Sequence, residues 1–104
     1  MACLFCKIVD KEVGAGIVYE DEKFLGFKDI EPKAQVHILI IPKEHIVSLG
    51  REAGQMLLTA QKIAKEQKIS ETGYRLVFNR GGDAGQTIDH LHLHLLGGEK
   101  LPWP

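Results

Sequence analysis

The seven residues His90-Leu91-His92-Leu93-His94-Leu95-Leu96 constrain this chain more than any other segment. Imidazole and isobutyl side chains alternate with a period of two, the repeat of an extended strand and not of a helix. On such a strand Leu91, Leu93 and Leu95 share one face, and His90, His92 and His94 share the other. The leucine face demands apolar cover, so the strand belongs to a sheet with something packed against it. The histidine face needs another account, because a row of imidazoles is poor core material and unusual surface. A strand rises about 3.3 Å per residue, which sets the outer two histidines roughly 13 Å apart. All three cannot meet one metal ion on a straight strand, whereas neighbours two apart can. What the row does supply is charge chemistry near neutral pH.

Cover for the leucines is found upstream. Ala53, Met56, Leu57, Ala60 and Ala64 recur at helical spacing, while Gln55, Lys62, Lys65 and Glu66 keep largely to the opposite side. The spacing predicts a helix over about 51–68 with its apolar stripe on a sheet. Leu4, Phe5, Ile8 and Val9 suggest a short opening helix within 4–12. Residues 17–20 and 23–29 read as strands joined by the acidic turn Glu20-Asp21-Glu22. Residues 36–41 form a β-branched run closed by Pro42, with His37, Leu39 and Ile41 on one face. Thr72-Gly73 precedes a strand over 74–78, and the histidine strand over 90–96 is closed by Gly97-Gly98. Short turns between neighbouring strands favour an antiparallel α+β sheet of about five strands, with one long and one short helix. No repeat or linker divides the 104 residues, so residues 1–104 read as a single domain. A core this small gains from a second copy. Joining two sheets edge to edge through the strand over 74–78 would hide a free edge.

Charge excludes several functions. Thirteen Lys and Arg stand against fourteen Asp and Glu, a net charge of −1, and no basic stripe suits a nucleic-acid backbone. The longest apolar run, Ile38-Leu39-Ile40-Ile41, is far short of the roughly 20 residues that span a bilayer. Lys7, Asp10, Lys11 and Glu12 interrupt any secretory segment, so a soluble cytoplasmic protein without nucleic-acid or membrane partners is expected. The two cysteines are too few for a disulfide scaffold. Cys3-Leu4-Phe5-Cys6 has the spacing of half a zinc site, or else is a pair of half-buried thiols. A thioredoxin-like role is not expected, because no strand leads into it. Just before the histidines, 79–87 packs Gly81, Gly82 and Gly85 into one loop whose amides can turn toward an anion. It is neither a Walker loop nor a dinucleotide fingerprint. Leading onto nucleophilic histidines, it suggests phosphoryl chemistry.

The pattern His-apolar-His-apolar-His-apolar-apolar resembles the signature of the histidine triad superfamily. The resemblance runs through nearly the whole chain. It includes Phe5 with Lys7-Ile8, Tyr19-Glu20-Asp21, Phe27 with Asp29-Ile30, and His37 followed by Ile41-Pro42-Lys43 and His45. It continues with Asn79, Gly85-Gln86, Gly97-Gly98 and Pro102-Trp103. The chain is most similar to the nucleotide-binding branch, the purine nucleoside phosphoramidases. That resemblance implies double displacement at the α-phosphorus of a nucleoside 5′-phosphoramidate. His92 matches the nucleophile, His90 and His94 its flanking partners, and His37 the fourth histidine of the site. Thr87 matches a usual serine that donates to leaving group or phosphate. Asp29 matches the acceptor of both ribose hydroxyls. Phe5, Phe27 and Ile30 match the base pocket, and Asn79, Gly85 and Gln86 the phosphate and ribose contacts. Asp89 departs from the pattern, since an aromatic or apolar residue is usual there.

The resemblance also implies a homodimer in which the tail carrying Trp103 crosses to the partner's site, and a ligand that is a purine nucleotide such as AMP or GMP. No cofactor is needed for the reaction. Some bacterial relatives hold a structural zinc ion with residues matching Cys3, Cys6, His45 and His90. Rival readings are a dinucleoside polyphosphate hydrolase with the same triad, and a nucleotide-binding protein without catalysis. A uridylyltransferase is disfavoured, because that branch carries glutamine at the position of His94.

Overall fold

Five strands form one antiparallel sheet in a computed structural model, which describes residues 3–103. The elements are α1 (Leu4–Val9), β1 (Ile17–Glu20), β2 (Phe24–Lys28), β3 (Val36–Pro42), α2 (Glu52–Glu66), β4 (Tyr74–Phe78) and β5 (Leu93–Gly97). Across the sheet the order is β1-β2-β3-β5-β4, so the last strand inserts between β3 and β4. The expected α+β class, the long helix and the short one are all present. No helix among the described residues is long and apolar enough to cross a membrane.

Period-two alternation gives the sheet two working faces. From β3, Ile38 and Ile40 join Leu91, Leu93 and Leu95 under α2, where Met56, Ala60, Ile63 and Ala64 are fully buried. Burying each large aliphatic there is worth about 1.5–3 kcal/mol. The other face carries Leu39 and Ile41, with Leu25 and Phe27 from β2, and is covered by Phe5 and Ile8 of α1. His37, on β3, shares that second face, as the sequence pattern predicts.

Element ends differ from expectation in instructive places. The opening helix stops at Val9, and Lys11 beyond it takes the left-handed conformation (φ 62°). Lys68 does the same after α2 (φ 62°), whose buried face also includes Thr59 and Ile63. Gly97 sits in close packing: a Cβ there would lie 2.9 Å from Ile69 Cδ1 and 3.2 Å from the Gly73 carbonyl oxygen, so both neighbours would have to shift.

The largest difference concerns the histidine strand. Its ladder begins at Leu93, paired with Ile40, and not at His90. Continuing the register would set Leu91 against Pro42, which has no N–H to donate. The Leu91 amide instead donates to the Ile46 carbonyl at 2.7 Å. The alternation of faces nevertheless persists, with Leu91 in the α2 core and His92 on the opposite side.

Candidate active site

Each histidine of the second face has a partner that decides where its ring proton sits. His90 is wholly buried and its Nε2 lies 2.9 Å from the Pro42 carbonyl oxygen. A carbonyl only accepts, so Nε2 carries the proton and Nδ1 keeps its lone pair. Burial pushes the His90 pKa down, with the Pro42 hydrogen bond opposing it. Its Nδ1 faces sulfur: Cys3 Sγ at 3.4 Å and Cys6 Sγ at 3.7 Å, while Cys6 Sγ is 3.2 Å from His45 Nδ1. All four ligand atoms lie within 4.8 Å of one another. Tetrahedral zinc, with bonds of about 2.3 Å to sulfur and 2.0–2.1 Å to nitrogen, sets S and N roughly 3.5 Å apart. The cluster fits such an ion, and the Pro42 carbonyl is the outer partner that orients a ligating imidazole.

His92 is held by its own chain. Its Nδ1–H donates to the His90 carbonyl at 2.8 Å, which leaves Nε2 with the free lone pair. For His37 the order is reversed, because the Lys33 amide donates to Nδ1 at 3.0 Å. In the neutral ring Nε2 therefore carries the proton and donates to His94 Nδ1 at 2.9 Å, with Asp29 Oδ2 also 3.4 Å away. His94 must then hold its proton on Nε2. Burial, followed by the neighbouring His92 and His37, lowers the His94 pKa to about 4. Burial lowers that of His37 as well, against the pull of Asp29. At neutral pH this pair is uncharged, and its donors point in one direction.

His92 and His94 open onto a cavity of about 340 Å³. One end is apolar, formed by Phe5, Ile8 and Phe27 with Leu4 and Val13 at the mouth. Phe5 stands edge-on to His92, ring centroids 5.2 Å apart, and edge-on to Phe27 at 5.7 Å. Ile30 lines the cavity while 90% exposed, so it stands at the rim. Asp29 also lines the cavity, near His37; its Oδ1 accepts the Glu31 amide at 2.8 Å, which closes a turn. Thr87 lines the cavity too. A larger hollow of about 480 Å³ between the β1–β2 turn, the end of β3 and the start of α2 contains none of these residues.

Four predicted contacts are not in the cavity. Asn79 Nδ2 donates to the Ala84 carbonyl at 2.8 Å, and Gln86 Oε1 accepts the Gly81 amide at 2.7 Å. Both brace the glycine loop, in which Gly85 takes φ 85°. Trp103 is 94% exposed and away from its own chain's histidines. Its tail is tied to the sheet edge, where Arg75 of β4 donates to the Pro102 carbonyl at 2.8 Å. Asp89 is exposed, 3.8 Å from Arg80, and does not line the cavity. Sequence reasoning missed Lys28, Lys33 and Leu39 in the lining, although Leu39 was legible as lying on the His37 face.

Alternating histidines leading into β5, one free imidazole nitrogen and an apolar pocket beside a carboxylate define a histidine triad site. The family model described as "HIT domain" matches residues 10–101, and the chain belongs to that family. Among solved structures it is similar to a HIT family hydrolase from Legionella pneumophila, with 45% identity, a TM-score of 0.93, and 99% of this chain and 98% of that one covered. It is also similar to a histidine triad nucleotide-binding protein from Candida albicans, with 34% identity, a TM-score of 0.85, and 99% and 83% covered. The 14 kDa zinc-binding protein of Zea mays is 43% identical over 110 residues, covering 97% of this chain and 85% of that protein.

Proposed function

We propose that this chain is a hydrolase cleaving the P–N bond of purine nucleoside 5′-phosphoramidates, with AMP- or GMP-type nucleotides as ligands. One observation carries the reading. The hydrogen bond from His92 Nδ1–H to the His90 carbonyl leaves Nε2 as a lone pair facing the cavity. In this reaction His92 Nε2 attacks the α-phosphorus, the P–N bond breaks, and the amine departs with a proton from solvent, which the Thr87 hydroxyl can relay. The ring gains positive charge, which the His90 carbonyl is already placed to share through Nδ1–H. Water then attacks the phosphorus, releasing the monophosphate and restoring His92. His94 donates Nε2–H to a phosphoryl oxygen, and the His37 donor behind it keeps it in that tautomer. Asp29 accepts from the ribose hydroxyls, and the base lies between Phe5, Phe27 and Ile30.

Cys3, Cys6, His45 and His90 would hold a zinc ion whose part is structural: it ties α1 to the sheet behind the nucleophile. A homodimer joined along β4 suits the open edge of that strand, whose side chains are all half-buried. The tie between Arg75 and Pro102 sets the Trp103 tail at this edge, within reach of a second copy. The test is intact-protein mass spectrometry after a brief, acid-free quench with adenosine 5′-phosphoramidate. A single nucleotidyl adduct on His92, with turnover exceeding that of diadenosine polyphosphates, is expected. Faster turnover of the polyphosphates would reassign the substrate, and binding without any adduct would reduce the chain to a nucleotide-binding protein.

A further inference from the structure

One short helix serves two sites. Along α1, Cys3 and Cys6 face His90 and His45, while Leu4, Phe5 and Ile8 wall the cavity. The Phe5 ring meets His90 as well as His92, with centroids 5.7 and 5.2 Å apart. A helix of six residues has too few internal hydrogen bonds to hold its own shape, so its position depends on its anchors. Those anchors are the burial of Phe5 and Ile8 and the Cys/His cluster.

The two sulfurs are also close to each other. Cys3 is the N-cap of α1, in extended conformation with no capping hydrogen bond, and Cys6 is the third residue of the helix. Both sulfurs approach His90 Nδ1, and they lie within 4.8 Å of one another. Cys6 is only half-buried, so a small oxidant can reach it.

We propose that Cys3 and Cys6 form an oxidation site at which a hydroperoxide makes an intramolecular disulfide, expels the metal ion and loosens the α1 wall of the nucleotide cavity. One thiolate attacks the peroxide O–O bond, becoming a sulfenic acid as an alcohol or water departs. The second thiolate attacks that sulfur, the S–S bond forms and water leaves. The thiolates give up two electrons, the peroxide takes them, and solvent supplies two protons. A tetrahedral ion that loses two of its four ligands is released. The effect on nucleotide rests on the function proposed above; the chemistry at sulfur does not.

The experiment treats zinc-loaded full-length protein with stoichiometric hydrogen peroxide. Intact mass, zinc captured by a chelating dye, hydrogen exchange of amides 4–9 and AMP affinity by calorimetry are measured on the same sample. The expected result is loss of two hydrogens, release of one ion per chain, faster exchange over 4–9 and AMP affinity weakened about tenfold or more, equivalent to about 1.4 kcal/mol. Dithiothreitol with zinc should reverse all four. The doubly substituted Cys3→Ser, Cys6→Ser protein should be indifferent to peroxide; if it does not fold, the wild-type readings decide alone. Oxidation to sulfinic acid without a disulfide, or a disulfide with the ion retained, overturns the proposal. So does a disulfide with unchanged exchange and AMP affinity. If AMP fails to bind even the untreated protein, the nucleotide assignment fails, and mass, zinc and exchange still judge the disulfide.

Discussion

Acidification should destabilise this fold within a window that one histidine dominates. The folded-state pKa of His94 is about 4, set first by burial and then by His92 and His37. In the unfolded chain the same imidazole titrates near 6.5. A lowered histidine pKa means that the unfolded state takes up the proton first. Stability is therefore full above about pH 6.5 and falls as pH drops toward 4. Between pH 7 and 5 the linkage relation gives about 2 kcal/mol for His94 alone, and roughly 1–2 after allowing for its partial exposure. His37 shifts in the same direction. Glu20 and Asp21 have lowered pKa values, from the Glu20 bonds to Lys43 and Lys11 and the hydrogen bonds Asp21 accepts against its own burial, so their losses come mostly below pH 5. Urea unfolding of zinc-saturated protein at half-unit steps from pH 7 to 5 measures the slope. His94→Gln retains an acceptor for His37 and removes the titration. Its curve should be shallower than wild type by that 1–2 kcal/mol, and zinc loss cancels in the comparison. Parallel curves would refute the half-buried, neutral His94 and with it the His37-to-His94 donor chain.

Other substitutions probe separate parts of the site. His92→Ala should abolish the nucleotidyl adduct and lower turnover by several orders of magnitude while AMP still binds; near-normal turnover would remove His92 from the role of nucleophile. Asp29→Ala should weaken ribonucleotides more than 2′-deoxyribonucleotides in calorimetry, and equal losses would count against the ribose contact. Gly97→Ala forces a methyl group onto Ile69 and the Gly73 carbonyl, and should cost about 1–3 kcal/mol in thermal or urea unfolding. Removing residues 102–104, of which Pro104 lies outside the described residues, should change the preference among amine leaving groups and leave the dimer intact by sedimentation. A full-length monomer would refute the dimer.

How much of the site was readable depends on which atoms carry it. Side chains announce themselves. The period of two in 90–96 by itself separates leucines from histidines, and the same arithmetic puts His37 beside Leu39 and Ile41. Cys3, Cys6 and His45 are visible as metal-ligand types, and the structure brings them to His90. The orienting groups are backbone atoms: the Lys33 amide, the Pro42 carbonyl and the His90 carbonyl. Every residue has such groups, so no residue type marks them. Pro42 connects the two kinds of information. Lacking an N–H, it stops the β3–β5 ladder short of His90, contrary to the strand expected from the alternation. A carbonyl inside the ladder would be spent on a neighbouring strand. Because the β3–β5 ladder ends at Leu93, the Pro42 carbonyl is free to hold His90 Nε2, and because the β4–β5 ladder ends there too, the His90 carbonyl is free to hold His92 Nδ1. The place where the sheet departs from its sequence pattern is thus the place where the nucleophile is oriented.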